Sequence, residues 1–177
     1  MKTIILIRHA KSSWSDVSLP DHDRPLNGRG KRDAPRMAAF LAREGLPNLA
    51  AELGSSLTVD GILTSTAKRA RRTARAFTEA FGLSSDEVLQ QPQLFHARSE
   101  AIQRSIQRLP DQWETVLVFG HNPGFTDAAN EMISEAGYID NVPTCGIVVS
   151  TNPIASWKQW QLAEAQQRAF YYPKQLV

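Results

Sequence analysis

The apolar positions of this chain come in two rhythms. Short, nearly continuous runs fall at Thr3–Ile7, Gly61–Ser65 and Thr115–Phe119. Their length and β-branched content predict strands covered on both faces, as in a parallel sheet. Between them lie longer stretches with helical spacing. One helix is predicted from residue 28 or 33 to Arg43, capped by Asn27 or Asp33; Pro35 favours the later start or a kink, and Gly45 and Pro47 are read as its end. Residues 46–58 read as a mixed connector. A second helix is predicted over Ala67–Phe81, stopped by Gly82. Residues 88–95 contain an edge strand interrupted at Pro92, Ser99 caps a helix to about Leu109, and another helix follows Gly124 to about Ala136. Gly146–Ser150 and Lys158–Leu162 read as closing strands, which would put Trp157 and Trp160 on opposite sides, and the tail at Tyr171-Tyr172-Pro173 reads as irregular. Strands alternate with helices, without repeats or an internal linker. The expected architecture is one domain over residues 1–177: a three-layer α/β/α sandwich on a mostly parallel central sheet.

Composition narrows the class. Hydrophobic residues make up 42% and charged residues 21%, the profile of a soluble globular protein. The net charge of +2 argues against a nucleic-acid partner. No apolar run is long enough for a membrane span, and the N-terminal run meets Arg8 too soon for a signal peptide. With Cys145 as the lone cysteine there is no intrachain disulfide. A cytoplasmic protein is expected.

The chemistry gathers at strand ends. In an open α/β sheet, ligands bind beyond the carboxyl ends of the strands. The first strand ends in Arg8-His9, the second in Thr64-Ser65 ahead of Lys68, Arg69, Arg71 and Arg72, and the third in Gly120-His121-Asn122. If these strands are neighbours, two histidines and two arginines share one crevice. Arginines fork onto phosphoryl oxygens, and histidine can attack phosphorus. Each motif alone has a plainer reading: the Lys68–Arg75 cluster is by default a solvated helix face, and Gly120-His121-Asn122-Pro123 a turn before a capped helix. Other hydrolase and nucleotide signatures are missing. No G-x-S-x-G elbow or P-loop occurs, Cys145 has no arginine six positions on, and the four histidines match no metal-ligand spacing. Asp21-His22-Asp23 looks superficially like a D-x-D nucleophile motif, but no apolar strand precedes it.

Leu6-Ile7-Arg8-His9-Ala10, Thr64–Ala74 and Val118–Pro123 together resemble the three motifs of the histidine phosphatase superfamily, most like its small SixA-like branch of phosphohistidine phosphatases. Asp23-Arg24-Pro25-Leu26-Asn27 with Gly30 resembles that family's loop before its first helix, and the likeness covers about residues 3–150. The resemblance implies a phosphoglycerate mutase-like fold and a metal-independent phosphatase without a cofactor. It implies His9 as the nucleophile, Arg8 and Arg69 on the phosphoryl oxygens, and His121 as the fourth member of the pocket. Asn122 and Ser65 would support substrate binding. Glu100 and His96 are both candidates for the proton donor, with Asp23 a further one, or else the partner of an arginine. Ala10 stands where many members have Gly, a harmless change if its φ is negative. The expected substrate is a phosphorylated molecule, a phosphohistidine-bearing protein foremost. A broad small-metabolite phosphatase or mutase on the same scaffold, or a phosphate-binding domain without chemistry, are the alternatives.

Overall fold

The computed structural model describes residues 1–176. Its sheet has six strands: β1 (Lys2–Arg8), β2 (Gly61–Ser65), β3 (Val88–Gln91), β4 (Thr115–Gly120), β5 (Ile147–Asn152) and β6 (Gln166–Tyr171). They lie in the order β3-β2-β4-β1-β5-β6. The first four are mutually parallel, and β5 runs against both β1 and β6. The helices are α1 (Gly28–Phe40), α2 (Leu46–Leu53), α3 (Lys68–Phe81), α4 (Ser99–Ile106) and α5 (Gly124–Glu131).

The strands alternate their apolar side chains between two cores. Ile5, Ile7, Ile62, Leu117 and Phe119 pack with Met37, Leu41 and Phe77 of the layer that holds α1, α2 and α3. Ile4, Leu6, Leu63, Val116 and Val118 pack with Ile102, Ile106, Phe125, Trp157 and Trp160 on the other face. This is the expected three-layer sandwich with a mostly parallel sheet. Among the described residues no helix is long and apolar enough to cross a membrane.

Four local expectations need correction. Asn27, not Asp33, caps α1: its Oδ1 accepts from the Gly30 N–H at 2.9 Å, and Pro35 lies inside the helix. Gly45 and Pro47 do not end the helical segment. A π turn over Leu41–Gly45 hands the chain on to α2, Gly45 keeps helical φ −59°, and Gly54 at φ 60° is the true stop. Pro47 sits in the first turn of α2, where a missing N–H costs little. Ser99 is the first residue of α4 rather than its cap, and both α4 and α5 stop earlier than their apolar pattern suggested.

The largest difference is at the C-terminus. Lys158–Leu162 forms no strand: Trp157–Gln159 and Leu162–Glu164 are 3₁₀ turns. Spacing of three brings Trp157 and Trp160 to one side, ring centroids 5.6 Å apart and both fully buried. The last strand is instead β6, which reaches the segment read as irregular tail only at Tyr171. It starts Gln166-Gln167-Arg168 and is half exposed at the sheet edge, so it lacks the apolar signature of a central strand.

Candidate active site

The register brings the three motifs to one level. Arg8 pairs with Gly120 across β1 and β4, and Thr64 of β2 pairs with Phe119. The crevice therefore opens over the carboxyl ends of three adjacent strands. Period two separates the neighbours Arg8 and His9. Arg8 reaches the loop beyond α5, donating from Nη1 to Val142 O at 2.8 Å and to Asn141 Oδ1 at 3.3 Å. His9 turns to α3 and meets Arg69.

The His9 ring has one tautomer consistent with its neighbours. Ala10 O can only accept, so Nδ1 at 2.8 Å carries the proton. Arg69 Nε can only donate, so Nε2 at 3.2 Å offers its lone pair. Burial is the main cause lowering the His9 pKa to about 3, with the positive charges of Arg69 and Arg8 adding to it. The imidazole is neutral at ordinary pH, with Nε2 facing the pocket. Thr73 locks this geometry: its Oγ1 accepts from the Ala10 N–H at 2.9 Å and donates to Arg69 O at 2.8 Å. The only described non-glycine residues at positive φ are His96 and Cys145, so Ala10 takes this place without strain.

His121 lies beside His9, ring centroids 5.1 Å apart. Its Nε2 is 2.8 Å from Ser65 Oγ. Burial, then His9 and Arg69, push its pKa down to about 2. Its Nδ1 is buried without a partner, as are Arg8 Nε and Asn122 Oδ1. Buried polar atoms are rarely left unpaired in folded proteins. Three of them around one crevice mark a place where a polar ligand completes the bonding. Asn122 is fixed by donating from Nδ2 to Asn141 Oδ1 at 2.8 Å and to Val142 O at 3.1 Å. Gly124 allows this wall to close, because a Cβ there would stand 1.9 Å from Ala97 O.

The structure brings Arg8, His9, Ser65, Arg69, His121 and Asn122 together, and it separates the two proton-donor candidates. His96 lies at the mouth, its ring centroid 5.5 Å from that of His121 and its Nε2 2.8 Å from Asp21 Oδ2. Its φ of 51° aims the side chain inward at a backbone cost. Glu100 stays exposed in the first turn of α4 and has no hydrogen bond or ion pair to the crevice. Asp23 is also outside, its contact being His22 Nδ1 at 3.2 Å.

The carboxylate at the pocket is Asp21, a residue sequence reasoning read only as part of a D-x-D likeness. Its Oδ1 accepts from Arg24 Nη1 and its Oδ2 from Arg69 Nη2, each at 2.9 Å. Its backbone carbonyl takes a further bond from Arg69 Nη1. Partial burial would raise its pKa, but the bonds from Arg69, Arg24 and His96 outweigh that and hold the carboxyl well below the usual range. Arg24 is itself anchored by Ser13 O and Ser12 Oγ. The long loop after β1 thus folds back over the pocket through Asp21. Buried guanidiniums need a counter-charge, so an acid was to be expected near Arg69, but the sequence does not say which one. Cys145 is buried with its thiol pushed up, and it serves through its backbone, donating to Arg8 O at 3.0 Å.

Comparisons with known proteins bear on the family and the fold. Residues 4–95 match the model of the histidine phosphatase superfamily, branch 1. An uncharacterised chloroplastic protein of Arabidopsis thaliana is 33% identical over 168 residues, covering 89% of this chain and 70% of that one. A SixA crystal structure from Agrobacterium tumefaciens, whose phosphohistidine phosphatase assignment is itself provisional, superposes with a TM-score of 0.72 at 28% identity, covering 97% of this chain and 98% of that one. The structure of a protein histidine phosphatase SixA complexed with tungstate has the same fold, with a TM-score of 0.74 at 19% identity over 99% of each chain. The chain therefore belongs to the histidine phosphatase superfamily and is, at that level, a phosphatase.

Proposed function

We propose that this phosphatase removes the phosphoryl group from phosphohistidine on a protein, through a covalent intermediate on His9 and without a metal. In the first step the His9 Nε2 lone pair attacks phosphorus. The P–N bond to the substrate imidazole breaks, and the departing ring takes up a proton from solvent at the open mouth of the site. In the second step water attacks phosphorus, the P–Nε2 bond breaks, and inorganic phosphate leaves. Arg8 Nε, Arg69 and His121 Nδ1 hold the three equatorial oxygens as charge builds there. Asn122 and Ser65 support them. The incoming phosphoryl group takes over the guanidinium of Arg69 from Asp21.

The substrate class rests on the state of Asp21. A carboxyl held ionised by two guanidiniums and His96 is a poor acid. An alkoxide leaving group needs a strong general acid, whereas imidazole leaves readily once protonated. A site with His96 at its mouth and an ionised Asp21 beneath it therefore suits a P–N bond. The SixA likeness at 28% identity supports the same reading. Metal independence is supported by charge: a divalent cation in the crevice would meet the guanidiniums of Arg8 and Arg69, and the carboxylate of Asp21 is already paired with Arg69 and Arg24.

The test is rapid-quench kinetics with a ³²P-phosphohistidine protein in excess chelator, on wild type and His9→Ala. The expected result is label passing transiently onto His9 and then into phosphate, with neither event in the variant. Turnover that stops with chelator overturns metal independence. Alkyl phosphates hydrolysed as fast as phosphohistidine overturn the substrate class.

A further inference from the structure

The charge of this chain is segregated to one face. Helices α1 and α3 carry nine of its 20 basic residues and two of its 18 acidic ones. These two helices are net +7, and the rest of the chain is net −5. Between the two helices runs a groove of about 450 Å³. Lys31, Lys68, Arg72 and Arg75 line it, with Glu79 its one acid, already paired to Arg75 at 2.9 Å. Among the described residues Lys31, Lys68 and Arg72 have no acidic partner. The floor is apolar: Leu26 and Ala34 are buried beneath it, and Ala76 is half buried.

Two residues that line the groove are chain neighbours of residues at or behind the active site. Lys68 directly precedes Arg69, and Pro25 at its other wall directly follows Arg24. The proposed phosphoryl pocket uses Arg8 and Arg69, with Arg24 behind Asp21, and it does not use Lys31, Arg72 or Arg75. Cations without partners on an apolar floor cost self-repulsion, and an anionic occupant relieves it.

We propose that this groove docks an acidic polypeptide segment of the phosphohistidine-bearing substrate, with an apolar side chain between its carboxylates. The inference rests on the reading that the substrate is a protein. A nucleic acid fits less well: the groove holds no aromatic side chain on which a base would stack, and its apolar floor offers nothing to a sugar-phosphate chain. Docking here gives specificity without altering the chemistry at His9.

Two synthetic phosphohistidine peptides test it. One carries a flanking Glu-Glu-Leu-Glu-Glu, the other Gln-Gln-Leu-Gln-Gln. Wild type is expected to favour the acidic peptide about tenfold in kcat/KM at low salt, through KM, and to lose the preference in about 0.5 M salt. Lys31→Glu/Arg72→Glu is expected to treat both alike while keeping wild-type kcat on the neutral one. A wild type without preference, or a double variant that keeps it, overturns the docking site. A double variant slowed equally on both peptides also overturns it, because the groove would then serve the fold or the chemistry. Fluorescence anisotropy with the unphosphorylated acidic peptide separates the two layers of the proposal. Peptides that bind this groove but are never dephosphorylated count against the functional reading and not against the docking site. A labelled single-stranded DNA bound more tightly than the acidic peptide moves the assignment to nucleic acid and overturns ours.

Discussion

Strand β1 carries a cation at each end, and the two are treated in opposite ways. Lys2, at the start, is fully buried, and its three ammonium hydrogens are matched by three acceptors: Asp111 O at 2.6 Å, Trp113 O at 2.8 Å and Glu114 Oε1 at 2.9 Å. The Trp157 ring lies 5.3 Å from the same nitrogen. Arg8, at the other end, spends one nitrogen on the loop at residues 141–142 and leaves Nε buried without a partner. The same strand therefore shows a cation completed by its own protein and one that keeps a donor free, which the proposed function gives to the phosphoryl group. A buried charge whose partners all come from the fold holds structure together, whereas unpaired polar atoms gathered at one crevice leave bonding capacity for a polar ligand. His121 Nδ1 and Asn122 Oδ1 belong with Arg8 in this respect.

The comparison breaks first at His9. His9→Ala is expected to lower turnover by about 10⁴-fold or more and to leave the far-ultraviolet circular dichroism unchanged, because it removes the atom we propose as the nucleophile. Arg8→Ala and Arg69→Ala should each cost on the order of 10²–10³ in kcat, the scale for one oriented donor at developing charge. Lys2→Ala should do the reverse. It strands two carbonyls and the half-exposed Glu114, so about 2–3 kcal/mol of stability is lost, with kcat unchanged below the melting transition. Thermal melts and steady-state kinetics on Lys2→Ala and Arg8→Ala check both halves. Equal losses of stability in the two variants would erase the distinction.

The histidines sharpen it through pH. Burial pushes the His9 pKa down to about 3 and that of His121 down to about 2 in the folded protein, against about 6.5 when unfolded. Below pH 6.5 the unfolded chain takes up protons that the folded one refuses. Stability contributed by each neutral ring is thus complete above the unfolded value and is lost as pH falls from 6.5 towards 3. Between pH 7.5 and pH 5 this amounts to about 2 kcal/mol for each ring. Urea melts at the two pH values should show His121→Gln losing about 2 kcal/mol less than wild type on acidification. An equal loss would mean that the ring is not held neutral by its burial.

What the sequence makes visible follows the same division. Arg8-His9 and His121 stand out because apolar strands should not end in such residues by chance, and the parallel order of β2, β4 and β1 turns three strand ends into one crevice. Asp21 does not stand out. It lies in a polar loop among Asp16, His22 and Asp23, and nothing in its neighbourhood says which acid folds back onto Arg69. Asn141 and Val142, which hold Arg8 and Asn122, are hidden for the same reason: one contributes an ordinary amide and the other a backbone carbonyl. The run from Leu41 to Leu53 misleads because Gly45 and Pro47 are breakers only when their backbone breaks. β6 is missed because an edge strand with one wet face needs few apolar residues.

The smallest expected effects separate His96 from Glu100. Sequence alone leaves both as proton donors, being four residues apart near the same strand end. The fold sends them apart. His96 is turned inward at φ 51° onto Asp21, and Glu100 caps nothing and faces solvent at the start of α4. His96→Ala should slow an alkyl phosphate more than phosphohistidine, by about tenfold, since the poorer leaving group depends more on a donor at the mouth. Glu100→Gln should lie within about twofold of wild type on both substrates, as a surface change should. The leaving-group series decides between them. A slope that steepens in His96→Ala and not in Glu100→Gln puts the proton at the mouth. The reverse pattern would require the first turn of α4 to swing over the crevice when substrate binds, and would make Glu100 the residue that is incompletely paired for a reason.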